Sequence, residues 1–173
     1  MIYVLRVETG KEKAVRDQLV RWRIKALVPR EICLERKNGK TVRRERVLFP
    51  GYVFVDETLL MPAYYYKVRK TPHVFMFLGG GNPTALHAKE AEYIRWLANG
   101  GKSLEPSELD EDGVVKTGPL KGRDLDVVTM NKRAKRAKLR ITIAGEPHEV
   151  SLSVTAAAPT SGGTDEDNTA PSE

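Results

Sequence analysis

The first hundred residues combine short apolar runs, typical of buried strands, with a stretch whose apolar residues recur every three or four positions. The run 2–7 predicts a strand. Thr9 with Glu12 three residues later forms a capping-box pattern, which predicts a helix beginning near Gly10. The apolar stripe of that helix consists of Ala14, Val15, Leu19 and Trp22. The chain therefore opens with a strand followed by an amphipathic helix.

A polar hairpin is predicted next. The segments 26–35 and 41–48 have strand-like composition, and the dipeptide Asn38-Gly39 joins them. Both of these residues tolerate the positive φ that a tight hairpin turn requires. The dipeptide Pro50-Gly51 then predicts a second turn, and the apolar run 52–56 predicts a strand buried on both faces.

Two further helices and one strand complete this part of the chain. Pro62 suits the first turn of a helix, so we expect a helix over 62–70, followed by an apolar strand over 74–78. A third helix is predicted over 87–99, where two glycines end it. The order strand, helix, strand, strand, helix, strand, helix predicts a ferredoxin-like α+β domain with an antiparallel sheet over residues 1–100.

The remainder of the chain divides by composition. Residues 101–113 are acidic and predict a flexible linker. A small all-β barrel is predicted over 114–155 from four short β segments, at 114–117, 125–130, 137–143 and 149–154. Ala, Pro, Ser, Thr, Gly and acidic residues dominate 156–173, which predicts a disordered tail.

Charge is distributed unevenly between these segments. Residues 1–100 carry 19 Lys and Arg against 10 Asp and Glu, and residues 114–155 carry nine against four. The segments 101–113 and 156–173 each have a net charge of −4, within a net charge of +6 for the chain. Two basic folded units separated and followed by acidic segments indicate binding to a polyanion.

Catalytic and metal-binding chemistry finds no support in the sequence. Cys33 is the only cysteine, which leaves no disulfide framework and fits a reducing cytoplasm. His73, His87 and His148 lie far apart, and the loop 79–81 lacks the Lys-Ser/Thr of a phosphate-binding loop. No apolar run approaches the roughly 18 residues of a membrane span, and the N-terminus has no secretory-signal pattern. We therefore expect a non-enzymatic, cytoplasmic protein without membrane contact, cofactor or metal.

Two motifs, in this order, resemble a known family. Residues 48–55 read Leu-Phe-Pro-Gly-Tyr-Val-Phe-Val, and residues 118–122 read Gly-Pro-Leu-Lys-Gly. Together with the segments 8–12 and 71–74 they are similar to the NusG family of transcription elongation factors. The resemblance implies an NGN domain over 1–100 joined to a small SH3-like KOW barrel over 114–155.

The resemblance also implies partners for the NGN domain. Family members dock an apolar depression of this domain onto the clamp helices of the largest RNA polymerase subunit. Phe49 and Tyr52 match the positions that line the depression, and Pro50 and Gly51 form the turn between them. An ordinary core role for both aromatic residues is the alternative. Contact with non-template DNA stays open, and we expect a monomer.

The KOW segment carries six Lys and Arg within the nine residues 132–140 and has no Phe, Tyr or Trp. Because base stacking on aromatic side chains is the usual route to single-stranded RNA, groove and backbone contact with a structured hairpin fits better. A solvated basic loop that keeps a small barrel soluble is the alternative. The candidate RNA-binding residues are Lys121, Arg123, Lys132, Arg133, Lys135, Arg136, Lys138 and Arg140.

The basic run resembles the LoaP type of specialised NusG paralog. That resemblance implies recruitment by a leader RNA hairpin and antitermination in long biosynthetic operons. The alternatives are a general NusG elongation and termination factor without hairpin specificity, and a ribosome-associated structural RNA-binding protein. Val154 stands where general factors place an aromatic residue that contacts a small-subunit ribosomal protein, so we expect coupling to translation to be weak or absent.

Overall fold

The N-terminal part of the chain is built on a four-stranded antiparallel sheet, in a computed structural model that describes residues 1–57, 62–123 and 126–158. Its regular elements are β1 (Ile2–Val7), α1 (Glu12–Arg21), β2 (Ala26–Leu27), β3 (Arg30–Lys37), β4 (Lys40–Val47), β5 (Tyr52–Asp56), α2 (Pro62–Arg69), β6 (Val74–Phe77) and α3 (Ala88–Ala98). The sheet has the strand order β2-β5-β1-β6, while β3 and β4 form a separate two-stranded hairpin. The predicted α+β fold class is confirmed.

The central sheet separates two apolar clusters because its strands direct alternate side chains to opposite faces. On one face Leu5, Val53 and Phe77 cluster with residues of α1 and α2 such as Val15 and Val68. The opposite face contributes Ile2, Val4 and Phe54 to a cluster with Ile94 and Leu97 of α3. That second cluster continues into the C-terminal sheet, so one face of the N-terminal domain is covered by the rest of the chain.

The hairpin β3–β4 forms as predicted from its turn. Asn38 and Gly39 have φ values of 52° and 76°, which a two-residue turn between antiparallel strands requires. The strand predicted over 26–35 is interrupted at Val28-Pro29, because proline cannot donate to a ladder, and so divides into β2 and β3. Seven of the eight residues of β4 are exposed, whereas Glu31 and Cys33 of β3 are buried.

The C-terminal sheet has the order β8-β7-β11-β10-β9. Its strands are β7 (Ser107–Leu109), β8 (Val115–Thr117), β9 (Val127–Asn131), β10 (Arg136–Ile143) and β11 (Glu146–Ala156). The start of β9 differs from the predicted 125, and Leu125 lies outside the described residues. Most of the predicted tail, residues 159–173, also lies outside them, while Ala156 ends β11.

The segment predicted to be a flexible linker is partly a strand. β7 pairs in parallel with β11 and antiparallel with β8, and its residues Ser107 and Leu109 are buried while Glu108 between them is not. Leu104 is also buried and bonds the backbone of β3, with its N–H 2.8 Å from the carbonyl oxygen of Arg30. The acidic composition concealed an in-out alternation, so the C-terminal sheet begins at 107 rather than 114.

Asp56, at the end of β5, gives a pH-dependent contribution to stability. Arg95 of α3 donates to both carboxylate oxygens, at 2.8 and 3.1 Å, and together with Lys25 it lowers the pKa of Asp56 to about 2 despite partial burial. Because the folded pKa lies below the unfolded value, the stabilisation is complete above about pH 4 and disappears as the pH falls through 2.

We expect Asp56→Asn to lower the free energy of unfolding by about 1–2 kcal/mol at pH 7, a value reduced by the solvent around Arg95. The difference between the variant and the wild type should shrink as the pH falls from 4 to 2. Urea unfolding across this pH range measures it, and a difference that is constant with pH would contradict the assignment.

Candidate functional site

Two motifs that are 40 residues apart in the sequence form one structural unit at the start of α1. The Glu12 carboxylate is buried and accepts hydrogen bonds from the N–H groups of Gly10, at 3.0 Å, and Gly51, at 2.7 Å. The predicted capping box does not form, because Lys11 and not Thr9 occupies the N-cap position and its side chain makes no capping bond. The hydrogen bonds of Glu12 with Gly10 and Gly51 take its place. Gly51 has a φ of 83°, and an added Cβ would lie 3.4 Å from Thr9 Oγ1.

This turn places the aromatic pair at the boundary between the two domains. Phe49 is only 4% exposed and lies edge-to-face with Phe54, with ring centroids 5.5 Å apart. The ring of His148 on β11 lies 6.5 Å from Phe49 and 5.9 Å from Tyr52. Tyr52 is half-buried and Arg6 lies over its ring, at 5.2 Å. Of the other two residues in the turn, Pro50 is exposed and Gly51 is buried.

Phe49 therefore has the environment of a core residue in this arrangement, and the C-terminal domain covers what was predicted to be an apolar depression. His148 provides that cover directly. The sequence could not reveal this contact, because a single histidine in a strand carries no signal for its partner.

Six of the eight candidate RNA-binding residues lie along β10 and the turn before it. On β10, the cationic residues Arg136, Lys138 and Arg140 alternate with the buried apolar residues Ala137, Leu139 and Ile141. The turn holds Lys132, Arg133 and Lys135, and Asn131 Oδ1 stabilises it by accepting the N–H of Ala134 at 2.8 Å. Lys121 and Arg123 lie apart from these, in the connection between β8 and β9.

The eight cationic side chains differ in the ion pairs and hydrogen bonds that they make with other groups of the protein. Lys121, Arg133 and Lys135 are exposed and make no ion pair with the described residues. Lys138 and Arg140 approach Glu149 at 3.7 and 3.9 Å, at the long end of a surface ion pair. Lys132 Nζ donates to the carbonyl oxygen of Glu111 at 3.0 Å.

Arg123 is partly buried against the N-terminal domain and also pairs with Asp126, at 3.4 Å. Its guanidinium lies 4.1 Å from the Trp96 ring centroid and 5.3 Å from that of Tyr93, both on α3. Burial and a hydrogen bond with Asp126 raise the pKa of Tyr93 above its usual value. Arg123 is thus half of a cation–π contact between domains.

Glu31 on β3 forms the other charged contact between the domains. Its carboxylate is 2% exposed, and Arg46 Nη2 and Arg136 Nη1 both donate to its Oε1, at 2.6 and 2.8 Å. The N–H of Ser153 on β11 donates to Oε2 at 2.8 Å. Sequence reasoning missed Glu31 because an isolated glutamate in a polar strand has no distinguishing pattern.

A half-open cavity of about 190 Å³ lies beside this contact. Its walls include Arg46 from the hairpin and Lys135, Arg136 and Ser153 from the C-terminal sheet. Within the described part of the chain no three His, Cys, Asp or Glu side chains lie close enough together to hold a metal ion. No described helix is long and apolar enough to cross a membrane.

Comparison with known proteins places this geometry in a family. The sequence profile described as "Transcription termination factor nusG" matches residues 2–95. The transcription termination/antitermination protein NusG of Pseudomonas aeruginosa is 31% identical over 166 residues, covering 87% of this chain and 93% of the relative. The same protein of Halalkalibacterium halodurans is 32% identical over 165 residues, covering 88% and 90%.

A solved structure agrees at the level of the fold. The structure reported for domain interaction in Thermotoga maritima NusG superimposes with a TM-score of 0.52 at 24% identity, covering 88% of this chain and 93% of that chain. The profile match over more than half of the chain and the relatives above 30% identity establish the relationship. The chain belongs to the NusG family of transcription termination and antitermination proteins.

Proposed function

We propose that this protein is a transcription antitermination factor that binds RNA polymerase through its N-terminal domain and a structured leader RNA through its C-terminal domain. The protein would act without catalysing a reaction: it would suppress pausing and allow RNA polymerase to read through terminators in long biosynthetic operons. The clamp helices of the largest polymerase subunit are the proposed protein partner, and Phe49 and Tyr52 are the proposed contacts.

The observation that carries the RNA proposal is the exposed cationic array on β10 and the turn before it. Arg133 and Lys135 face solvent in that turn, and the outward positions of β10 continue the array with Lys138 and Arg140. Each phosphate that such a residue neutralises releases counterions, which favours binding to a polyanion. The described C-terminal sheet offers no Phe, Tyr or Trp for stacking, so a paired stem with accessible grooves is the better ligand.

The polymerase proposal rests on family membership and on the position of the aromatic pair. Relatives above 30% identity are named as termination/antitermination proteins. Tyr52 lies at the rim of the face that the C-terminal domain covers, where withdrawal of His148 would expose the Tyr52 ring. Binding at this face therefore requires the two domains to separate.

The proposal is tested by measuring how tightly the full chain binds stem-loops from the leader of its neighbouring operon, with unrelated stem-loops at matched salt as the control. A preference of about a hundredfold, or 2.7 kcal/mol, is expected for the leader. Equal and weak binding to all stem-loops would contradict hairpin recruitment and favour a general NusG factor, as named for its relatives.

Coupling to the ribosome is proposed to be weak. Position 154 is a valine that is only 2% exposed, so neither an aromatic ring nor an accessible side chain is available there to a partner. Tight capture of a small-subunit ribosomal protein through the C-terminal domain would contradict this expectation.

A further inference from the structure

We propose that the acidic segment 159–173 docks on the cationic array of β10 and the turn before it, and competes there with RNA. The segment follows the last described residue, has no Lys or Arg, and contains the carboxylates of Asp165, Glu166, Asp167 and Glu173. Its docking is a property of this chain alone, whereas its effect on RNA rests on the proposed function. The array therefore has a competing anion within the same chain.

The chain leaves the described structure beside the basic turn. β11 is antiparallel to β10, and the pairing of Ser153 with Arg136 carries the end of β11 past the start of β10. There the N–H of Val154 donates to the carbonyl oxygen of Lys135 at 3.1 Å. The acidic segment begins only a few residues beyond this bond, so it starts next to the turn.

Backbone contacts with β7 fix this exit point. The N–H of Ala157 donates to the carbonyl oxygen of Leu109, the last residue of β7, at 2.7 Å. Close to the same end of β7, Lys132 Nζ donates to the carbonyl oxygen of Glu111 at 3.0 Å. The acidic segment thus begins near Lys132 as well as near Lys135.

The carboxylates of the segment can reach the whole array. Asp165 is seven residues beyond Ala158, and seven extended residues span up to about 24 Å. Arg140 is the most distant cation of the array and lies four residues along β10 from Arg136, which is about 13 Å in a strand. Docking on the array therefore requires no described contact to open.

The array has an excess of positive charge that the segment can neutralise. Arg133 and Lys135 make no ion pair with the described residues. Lys138 and Arg140 approach the same carboxylate, that of Glu149, at 3.7 and 3.9 Å. Exposed cations that lie close together repel one another, and additional carboxylates relieve this repulsion. Those carboxylates also release counterions, as phosphates do.

Covalent attachment favours this array over other basic surfaces of the protein. A tethered ligand has an effective concentration of about a millimolar at a site within its reach, and this concentration falls as the distance grows. Each exposed ion pair is weak, so docking depends on several carboxylates that lie near several cations. The contact is therefore reversible and sensitive to salt.

Competition of this kind lowers the affinity for every RNA by the same factor, because RNA binds only those molecules whose array is free. An RNA that is attracted by its phosphate charge alone is then bound too weakly to stay. A stem-loop that adds contacts with base edges in its grooves keeps a useful affinity after the same loss. The segment thus limits indiscriminate binding to polyanions.

The test measures how tightly the full chain binds an unrelated RNA stem-loop over a range of salt concentrations. The variant Asp165→Asn/Glu166→Gln/Asp167→Asn should bind about tenfold more tightly than the wild type at low salt. Its affinity should also fall more steeply with salt, because no internal anion has already released counterions from the array. The two proteins should converge at high salt, where the segment no longer docks.

The matched control is Glu8→Gln/Asp17→Asn/Glu92→Gln. It removes the same number of carboxylates, all exposed and all in the N-terminal domain, so it changes the net charge equally. It should bind the stem-loop within about twofold of the wild type. Equal tightening in the two triple variants would overturn the inference, because RNA would then respond to net charge alone. Unchanged binding by the first variant would overturn it as well.

A second measurement detects docking in the absence of RNA. A nitroxide is attached at Ser172→Cys, and Cys33→Ser removes the only other thiol. The label should broaden the amide NMR signals of the turn before β10 and of β10 itself, and neutralising the three carboxylates should reduce this broadening. Adding the stem-loop should reduce it in the same way.

Equal broadening with the charged and the neutralised segment would overturn the inference, whatever the RNA titrations show. Broadening confined to the N-terminal domain would also overturn it, because the segment would then dock elsewhere. Failure of the wild type to bind any stem-loop, together with broadening of β10 that depends on the carboxylates, would instead support the docking and overturn the proposed RNA function.

Discussion

Gly118→Ala is expected to unfold the C-terminal sheet, at a cost of about 3 kcal/mol or more. Gly118 has a φ of 94°, and an added Cβ would lie 2.6 Å from the Cα and 2.8 Å from the Oγ of Ser107. Backbone cannot move aside as a flexible side chain can, so β7 would be displaced. Ser107 Oγ also accepts the N–H of Leu120 at 3.0 Å, and that bond would be lost.

Gly122→Ala separates the two causes of this effect. Gly122 also has a positive φ, of 78°, but an added Cβ would meet nothing within 4 Å. This substitution should lower the free energy of unfolding by only about 1 kcal/mol, which is the cost of placing a side chain at a positive φ. Urea unfolding of both variants gives the comparison, and equal losses would show that Gly118 does not contact β7 as described.

Reversing two exposed charges in the turn before β10 is expected to weaken RNA binding by about a hundredfold, or 2.7 kcal/mol. The double variant Arg133→Glu/Lys135→Glu replaces cations that make no ion pair with the described residues, so the folded domain should keep its stability. Repulsion between carboxylates and phosphates adds to the lost attraction. Titration with the leader stem-loop at constant salt measures the change.

A matched control changes the same number of charges elsewhere. Lys11 at the start of α1 and Lys70 after α2 are exposed and lie in the N-terminal domain. Lys11→Glu/Lys70→Glu alters the net charge equally and should weaken binding by no more than a few-fold. Equal losses in the two double variants would mean that RNA responds to overall charge, and that the turn before β10 has no special role.

Local signals in the sequence were sufficient for most regular elements. Asn38-Gly39 predicted the hairpin turn, and the helix predicted over 87–99 lies at Ala88–Ala98 with His87 and Asn99 as its caps. These elements depend on residues that are neighbours in the chain. The strand β7 was missed because acidic side chains at alternate positions hid its buried residues Ser107 and Leu109.

Contacts between distant residues could not be predicted in this way. The resemblance singled out Phe49 and Arg136, but their partners His148 and Glu31 lie about 100 residues away in sequence. The contacts at a domain boundary depend on how two folded domains pack together, and the periodicity of the sequence does not predict that packing. The polar residues of a domain interface are therefore the part of a site that is hardest to predict from sequence.

Readthrough of a terminator by purified RNA polymerase would show directly whether a leader RNA recruits the protein as an antitermination factor. The template carries the leader of the neighbouring operon upstream of an intrinsic terminator, and a second template carries the leader with its stem disrupted by base changes. We expect the protein to increase readthrough on the intact leader and to have little effect on the disrupted one. Unchanged termination on the intact leader would mean that the protein is not an antitermination factor recruited by this RNA.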